Sequence, residues 1–538
     1  MLQKVKFAPG FNKQVTSVGG ESQWVAGDNV RFRYGSPEKI GGWSQLGSVQ
    51  ITGRATAIHH FVNTSGIKYA VLGTNRILYA YSGGIFYDIH PIKATTTLTS
   101  AFSTTNGSKV VTLTFASAHN INQFDIILLD SFTSITNSGF GSDDFTDKKF
   151  MVTSIPTDTT LTIEVESNES GSGASTSGGI RVKHYYPVGP ATEVASTGFG
   201  LGPWSGFKTG QFTSTLSSSI NTSVTSLTMA SSTSFPTSGT VLIDNELISY
   251  TGNSGGTLSG LTRGASGTTA ASHSSGATVT DASNFFAWNA AASGDIVTAP
   301  GIWSLDNFGN KVIATISNGE TFEWDSNPTD ANSTRATVVT SAPTASAFSL
   351  VSTPDRHLVF FGTETTVGTS STQDPMFIRF SSQEDINTYT PTATNTAGTQ
   401  RLADGSKIMG SIRGRDAIYI WTDTALFIMR FVGPPFTFSF QQVGTNCGLI
   451  AQNAAVEVDG AAYWMSENGF FRYTGKLESL PCLVEDHVYD DINLIPRQHI
   501  NAGLNNLFGE IMWFYPSSGS GTVNRMVAYN YLDSSPER

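Results

Sequence analysis

The sequence predicts an all-β fold: a β-propeller of six or seven blades carrying two small all-β insertion modules. Three observations predict it. Paired apolar strands recur across residues 51–92 and again after residue 300. The later pairs repeat at roughly 40 to 50 residues, the spacing of propeller blades that bury their faces only against their neighbours. Finally, two Ser/Thr/Gly-rich stretches interrupt the series, and the 14% content of charged residues with 54 glycines suits strands and turns better than long amphipathic helices.

Residues 1–92 form an amino-terminal segment and the first blade. Within 24–43, Val30, Phe32 and Tyr34 alternate with Arg31 and Arg33 before Ser36-Pro37 and Gly41-Gly42-Trp43, so one face is buried and the arginine face is wet or paired. The first hairpin pairs 68–73 with 77–81. Residues 93–183 open with Lys93-Ala94-Thr95-Thr96-Thr97 and read as an inserted β-barrel or sandwich module, with strands at 109–115, 125–129, 150–154 and 160–165. Its glycine-rich stretch, 171–179, reads as a flexible hairpin tip.

Residues 184–206 return to the scaffold, and 207–282 form a second inserted module with strands at 226–229, 239–243, 246–251 and 277–280. Asp244-Asn245 is its two-residue turn, because both side chains tolerate positive φ. Residues 283–538 supply the remaining blades through hairpins 311–316 with 320–324, 356–361 with 376–380, 416–421 with 425–430, 460–465 with 469–473 and 510–515 with 526–531. The last blade lacks outer strands and exposes edge hydrogen-bonding groups. Either the amino-terminal segment closes it or the chain is a fragment of a longer one, and the fragment is the preferred reading.

At 538 residues the chain exceeds a single core and should hold two or three domains. A net charge of −11 argues against tight nucleic-acid binding, which depends on Lys and Arg releasing counterions. It leaves room for DNA to pass close by without sticking. The first residues lack a signal-peptide pattern, and no stretch reaches the ~18 apolar residues of a membrane span, so a soluble protein made in the cytoplasm is expected. Cys447 and Cys482 are the only cysteines and read as reduced thiols.

The motifs that suggest chemistry each fail on context. Gly252-Asn253-Ser254-Gly255-Gly256 fits a nucleophile elbow, but Thr257-Leu258-Ser259-Gly260-Leu261 continues as a strand where an elbow needs a helix. Gly198-Phe199-Gly200-Leu201-Gly202 lacks the following helix that receives a pyrophosphate, and no P-loop occurs. His59 and His60, adjacent on a strand, point to opposite faces and cannot share a metal ion. Asp143, Asp144 and Asp147 form an acidic loop without calcium-loop spacing. Glu485, Asp486, Asp490 and Asp491 surround His487, yet nothing nearby signals a raised carboxyl pKa or fixes the separation that glycoside hydrolysis requires. Ser304-Leu305-Asp306-Asn307-Phe308-Gly309 resembles an incomplete Asp-box of sialidase propellers. No catalytic, cofactor or metal residue is assigned, and no enzyme activity is expected.

Taken together, Pro9-Gly10, Trp24, Asp28-Asn29-Val30-Arg31-Phe32-Arg33, Pro37-Glu38-Lys39, Gly41-Gly42-Trp43 and Trp303-Ser304-Leu305-Asp306-Asn307-Phe308-Gly309 resemble the tail nozzle proteins of short-tailed bacteriophages, also called tail accessory or stabilisation proteins. Trp464-Met465-Ser466-Glu467-Asn468-Gly469, Leu480-Pro481-Cys482 with Asp486 and Val488, and Asn530-Tyr531 extend the likeness, which covers residues 7–92 and about 300–532 and excludes both modules. The resemblance implies a structural virion protein of the podovirus-type tail, assembled in the host cytoplasm. It would form a homo-hexameric ring below the portal and its adaptor, alongside tail fibre or needle proteins. DNA would leave through its channel without sequence-specific binding, and no membrane insertion or cofactor would be involved. The alternative is a virion adhesin, a receptor-binding propeller contacting host-surface glycan. A glycan-cleaving enzyme that uses Asp486 or Asp306 is a third, disfavoured reading.

Overall fold

The computed structural model describes residues 7–16, 18–42, 44, 50–133, 135, 138–174, 179–188, 206–207, 212–283, 285–286, 301–327, 331–353 and 355–532. These residues are all-β, arranged in many small antiparallel sheets. The chain divides into two compact units, Met1–Ala191 with Thr298–Arg538, and Thr192–Val297.

Six sheets of the first unit follow the chain as simple meanders. Sheet 1 runs Ala55–Val62, Lys68–Thr74, Leu78–Ser82, Ile85–Asp88. Sheet 2 begins at Trp303–Phe308, sheet 3 at Ser346–Ser352, sheet 4 at Ile408–Arg413, sheet 5 at Ala455–Val458 and sheet 6 at Asn501–Asn505. The first strand of each sheet touches the first strand of the next. Between these strands lie shared apolar cores. Tyr69, Val71 and Leu78 of sheet 1 meet Trp303, Val312 and Phe322 of sheet 2, Ile313 meets Leu358 and Phe360 of sheet 3, and Val359 and Phe361 meet Ile420 and Phe427 of sheet 4. One further core joins Trp421, Trp464 and Trp513 across sheets 4 to 6.

Those three tryptophans occupy the same place, the fourth residue of the second strand in Ile418–Thr422, Ala461–Ser466 and Glu510–Tyr515. The large ring fills the gap between sheets, and the indole N–H needs a partner once buried. Trp464 donates to the Cys447 carbonyl at 2.8 Å, Trp513 to Ala454 at 3.0 Å, and Trp303 of sheet 2 to Thr74 of sheet 1 at 2.8 Å. Trp303, Trp464 and Trp513 therefore fix the spacing between a sheet and its predecessor, whereas the buried Trp421 N–H has no partner among the described residues.

The seam between sheets 6 and 1 is different. Among the described residues no apolar cluster crosses it, and Ile58 and Val62, on the side of the first strand of sheet 1 opposite His59 and Phe61, are 69% and 57% exposed. The Arg54 guanidinium meets the His499 ring there. Sheet 6 has three described strands, Asn501–Asn505, Glu510–Tyr515 and Arg525–Asn530.

Among the described residues the amino-terminal segment does not add a strand to sheet 6. Val30–Arg33 pairs only with Ser36–Lys39, and this hairpin lies against sheet 6 through side chains. Arg31 stacks 3.5 Å above the Phe508 ring and reaches Glu510 at 3.1 Å. Phe32 packs on Phe11 and Trp24. The arginine face is thus paired, whereas Tyr34, expected on the buried face, is 94% exposed. Tyr34-Gly35, with φ of 51° and 79°, forms the tight turn and so leaves the alternation. Trp43 lies outside the described residues.

Residues 92–185 form two sheets around one apolar core that includes Phe102, Leu113, Ile127, Phe145 and Leu161. The expected strand at 150–154 is instead a junction between Lys148–Met151 and Ser154–Thr157, which belong to different sheets. Within the expected hairpin tip at 171–179, Gly173–Ala174 pairs with Thr104 and Ser103, and residues 175–178 lie outside the described residues. Gly179 pairs with Thr99, where a Cβ would fall 2.3 Å from the Leu98 carbonyl oxygen, so only glycine fits. Ile126, Leu128 and Tyr185 of this module pack on Ile77 and Tyr79 of sheet 1.

The second unit holds a four-stranded and a three-stranded sheet over a core of Val241, Ile243, Ile248 and Val279. Gly239–Ile243 and Glu246–Tyr250 form the expected hairpin, with Asp244 at φ 50°. Among the described residues no helix is long and apolar enough to cross a membrane.

Candidate functional site

A buried polar constellation of the first unit lies on the first strands of sheets 1 to 4. Asp306, near the middle of Trp303–Phe308, is 4% exposed. A buried carboxylate must be saturated with donors, and this one is. Its Oδ2 accepts the Val351 N–H of sheet 3 at 2.8 Å, and its Oδ1 accepts Arg413 Nη2 of sheet 4 at 2.8 Å and its neighbour's Asn307 N–H at 2.8 Å. His59 of sheet 1 hydrogen-bonds Asn307 Oδ1 at 2.9 Å and sits 3.9 Å from Asp306. Burial pushes the His59 pKa down, with Asp306 and Asn307 opposing, so the neutral ring is favoured. With its acceptor sites occupied, Asp306 is a clamp between sheets rather than a free base.

The other sequence candidates fall as follows. Gly252–Ser254 and Thr257–Ser259 form a tight hairpin through Gly255-Gly256, and no helix follows Ser254. His59 turns toward sheet 2 while His60 is exposed. Asp143 and Asp144 occupy a single helical turn, Ser142–Phe145, and not an open loop, because Asp144 Oδ2 accepts the Gly141 N–H at 2.7 Å and starts the turn. Glu485, Asp486, Asp490, Asp491 and His487 share the short helix Glu485–Asp491. Contrary to the sequence reading, one of these carboxyls is raised: burial, then Asp486, pushes Glu485 up. Cys447 and Cys482 are free thiols, each pushed up to about 11 by burial. Gly198–Gly202 lie outside the described residues. Among the described residues no group of three metal-ligating side chains occurs.

Two buried networks escape sequence reading. In sheet 3 the Asp355 carboxylate accepts Ser352 Oγ at 2.9 Å and bonds His357 Nδ1 at 2.8 Å, while His357 Nε2 meets Thr396 Oγ1 at 3.1 Å. This has the connectivity of a nucleophile relay, but His357 is fully buried and Thr396 also accepts the Gln383 N–H, so the chain ties a turn to a loop. The Asp-x-His spacing was its one signal. In the second unit, Glu246 is held by Arg263 at 2.8 and 2.7 Å and by His273 Nε2 at 2.8 Å, while His273 Nδ1 meets Asp244 at 2.7 Å. Burial alone would push Glu246 up, but Arg263, the Ala271 N–H, His273 and the Gly264 N–H outweigh it and hold it at about 2.

No family model and no curated protein matches this chain. Among solved structures it is similar to the computationally designed Ika8 protein, at 9% identity over 62% of this chain and 90% of that one, with a TM-score of 0.25. It is also similar to the phage phi92 endosialidase, at 8% identity over 89% of this chain and 55% of that one, TM-score 0.15. A third likeness is to BBS1N from its complex with ARL6DN, at 8% identity over 90% of this chain and 95% of that one, TM-score 0.27. Likenesses at these scores decide nothing about function.

Proposed function

We propose that the six sheets are the blades of a β-propeller and that the chain is a structural virion protein, the subunit of a hexameric tail nozzle that extends the ejection channel below the portal and adaptor. The propeller reading is supported by six successive meanders whose first strands touch in turn. The residues that carry the resemblance hold those sheets together: Trp303 and Asp306 link sheets 1 to 4, Trp464 seats sheet 5, and Arg31 binds sheet 6.

One observation carries the assembly reading. A closed cyclic ring needs two different patches per subunit, each meeting its complement on the next. The first unit exposes two apolar patches of different shape. One is the flat face of sheet 1 at Ile58 and Val62, and the other is the end of the sheet 4 hairpin, where Val432 is 54% and Phe436 78% exposed. From Phe431 to Phe438 that hairpin end has no charged residue. The acidic chain also suits a conduit wall, since basic contacts would retard DNA.

The test is imaging of the purified protein mixed with portal and adaptor rings. A six-fold collar on the adaptor supports the nozzle, and no association with either ring refutes it.

A further inference from the structure

Sheets 1 to 5 each hold four strands, whereas among the described residues sheet 6 holds three and ends on the edge strand Arg525–Asn530. The Tyr531 N–H donates to the Gly509 carbonyl at 2.9 Å, which sets the alternation of this pair. Val527 and Tyr529 bond inward to Glu510–Tyr515, and the backbone groups of Met526 and Ala528 point away from the sheet. A second edge belongs to the inserted module, where Ile92–Thr99 ends its sheet and pairs only with Gly179–Tyr185 among the described strands. The Gly179 carbonyl accepts the Thr133 N–H on the far side, so Arg181 and Lys183, in the same phase, also bond away from Ile92–Thr99. The backbone groups of their partners Thr97 and Thr95 therefore point outward.

Exposed edges are templates for pairing, and proteins blunt them with charge, proline or bulges. Lys148–Met151 carries two lysines, Ser154–Thr157 a proline, and Thr437–Thr445 two breaks in register. Residues 94–99 carry none of these: they are uncharged, keep one register throughout, and are exposed except at Leu98. Residues 526–530 of sheet 6 are likewise without charge.

We infer that these two edges meet between copies, with Ile92–Thr99 of one copy adding antiparallel to Arg525–Asn530 of the next as the fourth strand of its sheet 6. The lengths match, eight residues against six, and a threonine-rich strand suits a pleated, half-buried place. Fourth strands in sheets 1 to 5 all run antiparallel to the third. The same direction here sets Lys93 at the Asn530 end and Arg525 at the Thr99 end, a strand length apart, whereas parallel addition would bring the two cations together. Within one copy the two edges are not paired, and Ile126, Leu128 and Tyr185 hold the module on Ile77 and Tyr79 of sheet 1. The choice of sheet 6 as the acceptor rests on the ring reading, since Ile92–Thr99 pairing with its own counterpart would make a two-fold contact that a head-to-tail ring lacks.

The test is cross-linking of the full chain carrying Thr97→Cys and Ala528→Cys, both at exposed positions, with a short bis-maleimide. Denaturing gels are read beside native mass, and the unsubstituted chain corrects for Cys447 and Cys482. The double variant should give covalent ladders of up to six copies, and each single variant at least tenfold less. Thr97→Pro removes one outward N–H and no internal bond, so melting should hold while the ring fraction falls at least tenfold. A native ring without the ladder, or one indifferent to the proline, overturns the inference and leaves the nozzle reading in place. A link within one chain, or a dimer from Thr97→Cys alone, overturns it as well. A chain that forms no ring, alone or on the adaptor, overturns both readings.

Discussion

Replacing Asp306 by alanine tests whether one carboxylate ties the inner strands together. The substitution strands the buried Val351 N–H, a loss of about 1 to 3 kcal/mol. It also releases Arg413, whose side chain is 33% exposed and regains water, so that ion pair adds about 1 kcal/mol or less. The sum is about 1 to 4 kcal/mol, felt in sheets 2, 3 and 4 together. Asp306→Asn keeps an acceptor for Val351 and should cost roughly half as much. Hydrogen exchange reads this locally: each 1.4 kcal/mol is about tenfold, so protection at 346–352 and 408–413 should fall about fivefold or more in the alanine variant. Unchanged exchange at both strands would refute the clamp. Equal loss in residues 212–283 would do so as well, because that unit has no part in it.

Three further outcomes follow from the same contacts. His90 is fully buried, with Nδ1 accepting the Leu78 N–H and Nε2 donating to the Tyr186 carbonyl; burial lowers its pKa to about 4. Because the unfolded ring titrates near 6.5, its stabilisation is complete above that pH and is lost as pH falls toward 4, on the order of 3 kcal/mol; a flat urea midpoint between pH 7 and 4 would contradict this. Arg263→Ala leaves Glu246 buried without its ion-pair partner and should destabilise the second unit by about 3 to 5 kcal/mol, seen as selective loss of protection in 212–283. Ile58→Asp and Phe436→Asp change exposed positions, so melting should shift by less than about 0.5 kcal/mol equivalent while native mass drops to the monomer; a ring that survives both would remove these patches from the interface.

Several second and third strands were legible because they are buried on both faces and spell apolar runs, as in His357–Thr363 and Ala461–Ser466, whereas Arg525–Asn530 holds no buried residue. First and fourth strands were not. Trp303–Phe308 carries Ser304, Asp306 and Asn307 because those side chains bond to neighbouring sheets, and this polarity hides the strand. Gly398–Arg401 and Leu477–Ser479 are short, exposed edges with no hydrophobic signal. In the inserted module, the Thr-rich Ile92–Thr99 read as a change of composition, yet it pairs along Gly179–Tyr185. The candidate sites were harder still. The Asp306 clamp joins residues from separate sheets, and sequence spacing carries no sign of which strands meet.

The most direct test of the account is the native mass of the purified chain, alone and with the adaptor. The account predicts six copies closed around an open axis, formed alone or on the adaptor. A stable monomer that ignores the adaptor would contradict it.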